Sequence, residues 1–177
     1  NITTQDEVLR REIRQMEGGW YSSSAISLSK RRLKRLAFVE NVVFEEVRVP
    51  GSANKIDLNV RIKEKLSGNF NIGAGLGGSG TGLSLSAGLE QDNFLGFGSK
   101  VSLNIDTGKT TRNYSFNFFN PYHNLDSVSR SFGFNVQTQK TDNTDTVADY
   151  EADRIGLNYS YGIPMTENNR FNLTLRY

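Results

Sequence analysis

The chain has 177 residues, enough for one ordinary domain or two small ones. Its 21 Lys and Arg against 19 Asp and Glu leave a net charge of +2, which argues against a nucleic-acid binder, since such proteins carry a strong basic excess. The absence of cysteine and the presence of one histidine, His123, exclude disulfide scaffolds, thiol chemistry and Cys- or His-rich metal sites. No apolar run is long enough for a transmembrane helix, and the start at Asn1 lacks the features of a signal peptide. A soluble globular chain and a transmembrane β-barrel both remain possible.

The composition changes near Ser67-Gly68. Basic residues are concentrated before this point, whereas Gly, Asn and Ser are concentrated after it, where they disfavour helix. We therefore predict two domains, residues 1–66 and residues 67–177.

The first domain is predicted to open with a helix. Thr4-Gln5-Asp6-Glu7 has the spacing of a capping box, and Gly18-Gly19 is a typical helix end. Apolar residues at steps of four, three and four predict one stripe facing a core, with the last of them packing from just beyond the helix: Leu9, Ile13, Met16 and Trp20.

A second helix and two strands are predicted to complete this domain. Ser22-Ser23-Ser24 can cap a helix that runs to about Leu36, with its inward side chains at Ile26, Leu33 and Leu36. A β-rich run from Phe38 to Val49 and the turn Pro50-Gly51 follow. From Ile56 to Ile62 apolar and polar residues alternate strictly, which is typical of a strand with one solvated face.

The second domain repeats one pattern seven times, with apolar residues on one face of each predicted strand. The segments are Phe70–Leu76, Leu83–Leu89, Val101–Ile105, Tyr114–Phe118, Phe132–Val136, Ile155–Tyr161 and Phe171–Tyr177. A soluble β-sandwich also alternates in this way. The intervening Ser, Asn and Gly carry few charges, and aromatic residues lie near the strand ends, so the pattern favours a barrel with lipid outside and a hydrated lumen.

Long stretches of the sequence resemble the BamA family of outer-membrane β-barrel assembly proteins. Leu9–Trp20, Arg32–Ser52 and Asn54–Lys65 resemble its fifth, membrane-proximal POTRA domain. The opening strands of its barrel are similar to Gly68–Gly77, Leu89–Gly98 and Phe119–Tyr122. The resemblance implies a subunit that folds and inserts client barrels in the bacterial outer membrane, with the first domain in the periplasm. The partners it implies are nascent outer-membrane proteins, lipoprotein subunits, periplasmic chaperones and outer-membrane lipid.

The chain departs from this family in what it lacks. A POTRA domain runs β-α-α-β-β, and its first strand would precede Asn1; the family barrel is sixteen-stranded, and about seven strands are present. The expected fold is therefore an incomplete α+β POTRA domain followed by an antiparallel, all-β segment of a transmembrane barrel. Such a fragment is expected to associate with itself through its open strand edges.

The resemblance also implies two sites. A client strand would pair with the first barrel strand, whose glycines weaken it and would ease opening: Gly68, Asn69, Phe70, Asn71, Ile72, Gly73, Ala74, Gly75 and Leu76. The alternative is that this strand only closes the barrel. Glu17, with Arg14, falls where the family docks its lipoprotein partner, although a plain surface carboxylate is the other reading.

Several patterns remain open or are rejected. Lys30, Arg31, Arg32, Lys34 and Arg35 give the second helix a cationic face, which suits an acidic partner, anionic headgroups or plain solvation. Gly73–Gly78 spells G-x-G-x-x-G, but no helix is predicted to follow, so a dinucleotide site is rejected. His123 is interpreted as an interfacial turn residue.

No nucleophile elbow or triad context appears, so the sequence predicts no enzyme, cofactor or metal. The alternatives to barrel assembly are a two-partner secretion or translocation transporter of the same superfamily and a soluble β-sandwich binding module.

Overall fold

A computed structural model describes residues 4–52, 54–77, 82–124, 127–141, 150–166 and 169–177. The chain divides into two compact units. The first contains Asn1–Ser67 together with Leu95–Gly98, and the second contains Gly68–Phe94 and Ser99–Tyr177. None of the helices in the described ranges has the length and apolar character needed to cross a membrane.

The first unit contains two helices and a two-stranded antiparallel sheet. The elements are α1 (Asp6–Arg10), α2 (Ser23–Lys34), β1 (Val39–Arg48) and β2 (Ile56–Glu64). β1 and β2 pair in register from Asn41↔Lys63 to Arg48↔Ile56. The turn at Pro50-Gly51 places Gly51 at a φ of 79°, where glycine has no steric cost.

A small dry core holds this unit together. Leu33 and Val42 are almost completely buried, and the cluster around them consists of Val8, Leu9, Phe38 and Val39. Leu36 and the inward residues of β2, Val60 and Ile62, pack against this cluster. Burial of this apolar surface is the main term that stabilises the unit.

The second helix confirms its prediction. Ser22 is the N-cap, and its Oγ accepts a hydrogen bond of 3.3 Å from Ala25 N. Ile26 and Leu33 are buried as expected, because the 3.6-residue repeat places them on one face.

The first helix is shorter than predicted, and the capping box is wrong. α1 ends at Arg10, its N-cap is Gln5 with no side-chain cap, and Thr4 N donates to Glu64 Oε1 at 3.0 Å. In a continuing helix Arg14 N would donate to the carbonyl of Arg10. It donates instead to Ser29 Oγ of α2 at 2.8 Å, so a tertiary contact replaces the next helical turn.

The predicted apolar stripe is therefore only half correct. Leu9 is buried and Ile13 packs against the core, but Met16 and Trp20 are 79% and 96% exposed. A helical repeat has no meaning beyond Arg11, where the helix has already ended. The inference that Trp20 packs from beyond the helix is wrong for the same reason.

The second unit is one antiparallel sheet of seven strands in chain order. These are β3 (Gly68–Gly77), β4 (Gly82–Phe94), β5 (Ser99–Thr107), β6 (Thr111–Asn120), β7 (Ser129–Thr141), β8 (Tyr150–Pro164) and β9 (Arg170–Arg176). Each strand pairs with the next, so all seven predicted strands are confirmed. β3 and β9 are the two edges of the sheet, and no strand of the described residues joins them.

No described part of the chain forms a layer over the apolar face of this sheet. The strand register aligns apolar residues side by side across neighbouring strands. Two such rows are Phe70–Leu89–Leu103 and Ile105–Tyr114–Val136. All buried apolar side chains of the described residues belong to the first unit. The β-sandwich alternative is wrong, because a sandwich needs a second sheet to cover these side chains. The predicted fold, an α+β domain followed by part of an open barrel, is confirmed.

Candidate functional site

β3 is the first candidate site, because it is an edge strand with one free side. From Gly68↔Gln91 to Gly77↔Gly82 every residue pairs with β4 without a register shift. In an antiparallel ladder alternate residues direct their N–H and C=O groups to the opposite side. Half of the β3 backbone groups therefore point away from β4, toward a side on which no described strand lies.

The two faces of β3 differ in chemistry. Phe70, Ile72 and Leu76 are 66 to 87% exposed on the apolar face. The polar face carries Asn69, Asn71, Gly73 and Gly75. A strand added at this edge would therefore extend one apolar face and one face of small, hydrogen-bonding residues.

Glycines on the polar face are covered by polar side chains of neighbouring strands. A Cβ at Gly73 would lie 2.6 Å from Ser86 Oγ, and one at Gly75 would lie 3.0 Å from Ser84 Oγ. Ser84 Oγ also donates to the carbonyl of Gly75 at 3.2 Å. Small side chains of β4 thus support β3 from the lumenal side.

Asparagine amides lie over other glycines in the same way. A Cβ at Gly88 would collide with Asn71 Oδ1, and one at Gly133 would collide with the Oδ1 atoms of Asn117 and Asn158. The amide of Asn71, on β3, therefore lies over Gly88 of β4. The sequence analysis missed this packing, since it assigned the glycines only to weakening the strand.

The first residues of β3 lie beside a compact cluster of charged side chains. Asn69 is opposite Glu90, whose carboxylate accepts a hydrogen bond of 2.6 Å from Lys100 Nζ. Asp92 lies 3.6 Å from the same amine. The β4–β5 ladder shifts register between Gln91 and Phe94, so a bulge places these carboxylates around one lysine.

The second candidate site is the loop that follows α1. Glu17 is highly exposed, and its carboxylate lies 2.5 Å from Arg10 Nη1. Hydrogen bonds from Arg10 to the carboxylates of Asp6 and Glu17 raise the pKa of Arg10 above its usual value. Arg14 is half-buried and donates through Nη1 to the carbonyl of Arg11 at 2.8 Å, whereas the ion-pair partner of Glu17 is Arg10.

Two apolar side chains flank Glu17 in this loop, Met16 and Trp20. The loop is braced by Gln15, whose amide donates to the carbonyl of Trp20 at 3.0 Å and accepts from Ser22 N at 3.0 Å. Met16, Glu17 and Trp20 form what we call the docking loop, a mixed apolar and acidic surface. Sequence reasoning missed Met16 and Trp20, and no local signal would have separated them from core residues.

The cationic helix face is largely exposed. Lys30, Arg31, Lys34 and Arg35 are exposed on α2, whereas Arg32 turns inward and its Nε lies 3.0 Å from Glu12 Oε2. Within the described ranges, no three His, Asp or Glu side chains converge in a way that could hold a metal ion.

Comparison with known proteins identifies both units. Residues 1–65 match the POTRA family, described as a surface antigen variable number repeat, and residues 93–177 match the Omp85 superfamily domain. The chain belongs to the Omp85 superfamily. The second unit therefore lies in the bacterial outer membrane, and the POTRA unit lies in the periplasm.

Individual relatives cover almost the whole chain. It is 36% identical over 99% of its length to the outer membrane protein assembly factor BamA of Neisseria meningitidis, and 27% identical over its full length to that of Buchnera aphidicola. The crystal structure of BamA from Haemophilus ducreyi lacking POTRA domains 1–3 superposes with a TM-score of 0.81 at 38% identity over 98% of the chain. The chain spans 22%, 28% and 32% of the lengths of these three proteins.

Proposed function

We propose that the protein takes part in assembly of outer-membrane proteins, and that β3 is the strand with which a client β-strand pairs. The relatives named as assembly factors support the first part. The observation that carries the second part is the free side of β3, which has no strand partner among the described residues.

The membrane environment gives this edge its affinity for another strand. An unsatisfied backbone N–H or C=O in hydrocarbon costs several kcal/mol, so the roughly ten such groups along the free side of β3 favour pairing strongly. Main-chain pairing depends little on the sequence of the added strand. One edge can therefore accept clients of many sequences, in the outer membrane, without nucleotide, cofactor or bond chemistry.

Interactions between β3 and β4 explain how β3 could stay in the sheet while its free edge exchanges one partner strand for another. The unshifted ladder to β4 and the hydrogen bond from Ser84 Oγ to the carbonyl of Gly75 keep the register of β3 on that side. On the free side only backbone bonds would form, and these can be exchanged for those of a client strand. We propose that this asymmetry keeps β3 attached to the sheet while its other edge opens.

We also propose that the docking loop binds a lipoprotein subunit of the assembly complex, with Glu17 and Arg14 in the contact. Support comes from the exposure of Met16 and Trp20 beside Glu17, because Trp is among the residues that contribute most to protein interfaces. Gln15 holds the loop in place before binding, which lowers the entropy lost on association. Periplasmic chaperones would deliver clients to the same unit.

Site-specific crosslinking tests the client edge. The sequence has no cysteine, so single cysteines at Asn69, Asn71 or Gly73 can be paired with cysteines along the last strand of a stalled client in the native membrane. We expect disulfides that shift by one client residue for each residue moved along β3. Asn117→Cys, on the polar face of the interior strand β6, is the matched control and should crosslink weakly.

The same experiment separates assembly from translocation. A translocation transporter of this superfamily would pass its substrate along the polar face, so Asn117→Cys and Asn71→Cys would crosslink equally and without fixed register. That result would contradict strand pairing at β3 and would favour a conduit.

A further inference from the structure

An arginine lies on the apolar face of the sheet, among side chains that face lipid. Arg130 is the second residue of β7 and is separated from Phe132 and Phe134 by steps of two residues. Its side chain therefore lies on the same apolar face as theirs. Its cross-strand partners are Asn120 in β6 and Tyr161 in β8. The next row toward this end of the sheet, Ile163↔Phe171, is apolar and exposed.

Aromatic and imidazole groups surround this arginine. Arg130 Nη1 lies 3.5 Å from His123 Nε2, and Arg130 also hydrogen-bonds to the hydroxyl of Tyr159. Tyr159 donates its hydroxyl hydrogen to Tyr161 at 2.8 Å, and the two rings meet edge to face with centroids 5.1 Å apart. The centroid of the His123 ring is 6.3 Å from that of Tyr161. Four polar groups therefore converge on one side of the sheet.

Among the residues that the structure describes, no carboxylate pairs with the charge of this cluster. No ion pair in the described part of the chain includes Arg130. A guanidinium carries five N–H donors, and contacts with His123 and Tyr159 leave others available. An arginine that faces lipid without a carboxylate is stable only where another anion or water reaches it.

The position of the cluster in the membrane identifies that anion. β3, β5, β7 and β9 begin at the same end of the sheet, because all strands are antiparallel, and β3 follows the POTRA unit directly in the chain. This end therefore faces the periplasm. Tyrosine is enriched at such interfaces, where its ring meets hydrocarbon and its hydroxyl meets headgroups. Lipid phosphates lie at this level, and the arginine fork matches phosphate oxygens.

We propose that Arg130, His123, Tyr159 and Tyr161 form a binding site for the phosphodiester of a lipid headgroup in the periplasmic leaflet. Arg130 supplies charge and two parallel donors, and Tyr161 and His123 supply further hydrogen bonds to the phosphate oxygens. The exposed side chains of Ile163 and Phe171 lie where the acyl chains would begin. Bound lipid would cover the outer surface of β7 and β8.

The only histidine of the chain provides a direct readout. The full chain, folded in maltoside micelles that contain no phosphate, is titrated with dihexanoyl phosphatidylglycerol at constant pH while the His123 imidazole signals are followed by NMR. We expect a saturable shift, and a loss of affinity of about tenfold or more in Arg130→Gln, since a charged hydrogen-bond pair is worth that much. Tyr161→Phe, which keeps the ring, should weaken binding less.

The matched control is Arg112→Gln. Arg112 is also the second residue of its strand on the apolar face, but it lies at the opposite end, opposite Thr107 and Thr138. Its removal should leave the titration unchanged. Equal losses in Arg112→Gln and Arg130→Gln, or a shift that never saturates, would overturn the proposal.

A second arm uses inorganic phosphate alone. If the site recognises a lipid, inorganic phosphate should need at least about tenfold higher concentration, because it lacks the acyl contacts. An equal response to both would identify a free-anion site and reject the lipid. If Arg130→Gln does not fold by circular dichroism, Tyr161→Phe and Arg130→Lys decide, and unchanged lipid affinity in both would refute the proposal.

Discussion

The strands of both units alternate apolar and polar residues, but the apolar faces of the two units are covered differently. In the POTRA unit the inward residues of β2 pack against a core that α2 covers, and Leu33 and Val42 at its centre exclude water. In the membrane unit the equivalent side chains, such as Leu103 and Leu157, lie exposed on the sheet. The first unit supplies its own apolar partner, and the second takes it from lipid.

This contrast shows that alternation defines a strand with two unlike faces and leaves open what covers the apolar face. The deciding evidence is the absence of a second layer over the described strands of the membrane unit. Four experiments would break or sharpen the comparison, and they follow from the largest expected effect to the smallest.

Removing detergent should have the largest effect. Without lipid or micelle, the apolar face of the seven strands and the free edges of β3 and β9 are exposed to water, so the 177-residue chain should associate. Light scattering combined with sedimentation should report oligomers that return to one copy when detergent is restored. A monodisperse monomer in plain buffer would contradict the lipid-facing assignment.

Introducing a charge on the lipid-facing side of the sheet should cause the next largest loss of stability. Leu103→Arg places a cation near the middle of β5 and should destabilise the sheet by about 2–4 kcal/mol in micelles. Its neighbour Ser102 lies on the polar face opposite Glu90, so Ser102→Arg should cost much less. Urea midpoints from circular dichroism would compare the two, and equal losses would show that the faces are wrongly assigned.

Inside the POTRA unit, the buried ion pair should matter more than an exposed one. Glu12 and Arg32 side chains are 7% and 19% exposed, so Arg32→Met leaves a buried carboxylate without this partner and should cost about 2 kcal/mol. Arg61, which pairs with Glu45 at the surface, is the control, and Arg61→Met should cost under about 1 kcal/mol. Hydrogen exchange in β1 and β2 would measure both.

The smallest effect concerns Tyr21, whose hydroxyl donates to Glu46 Oε1 at 2.6 Å. This hydrogen bond, with burial and the nearby charge, raises the pKa of Tyr21 above its usual 10.0. The contact therefore stabilises the unit below about pH 10, and this contribution is lost as pH rises through the raised pKa.

Glu46→Gln should lower the pKa of Tyr21 toward its usual value, because the carboxylate is removed. NMR titration of ¹³C-labelled tyrosine would show this change. Glu45→Gln, one residue away, should leave the pKa unchanged, since Glu45 faces Arg61.

Sequence reasoning predicted the elements that depend on local pattern. The Ser22 cap, the inward face of α2 and all seven membrane strands follow from spacing alone, because hydrophobic repeats of 3.6 and 2 residues are local properties. It failed beyond Arg10, where the bond from Arg14 N to Ser29 Oγ ends the helix. That bond joins residues fifteen apart in the chain, and no local repeat encodes it.

The candidate sites also differ in how far local sequence pattern could predict them. The strand at Gly68–Leu76 was predictable as an edge from its place at the start of the repeated pattern. The exposed Met16 and Trp20 and the cluster at Arg130 were not, because each depends on where a loop or a neighbouring strand places its side chains. His123 was correctly predicted to lie outside the strands, in a turn, but its proximity to Arg130 appears only in the folded sheet.

The asparagines that lie over glycines have a consequence for how this sheet can change over generations. Asn117 and Asn158 occupy the space that a side chain at Gly133 would need, and Asn135 does the same at Gly156. A side chain introduced at one of these glycines would therefore displace an asparagine amide of an adjoining strand. Substitutions at such a glycine should be tolerated more easily when the asparagine on the adjoining strand is also replaced by a smaller residue.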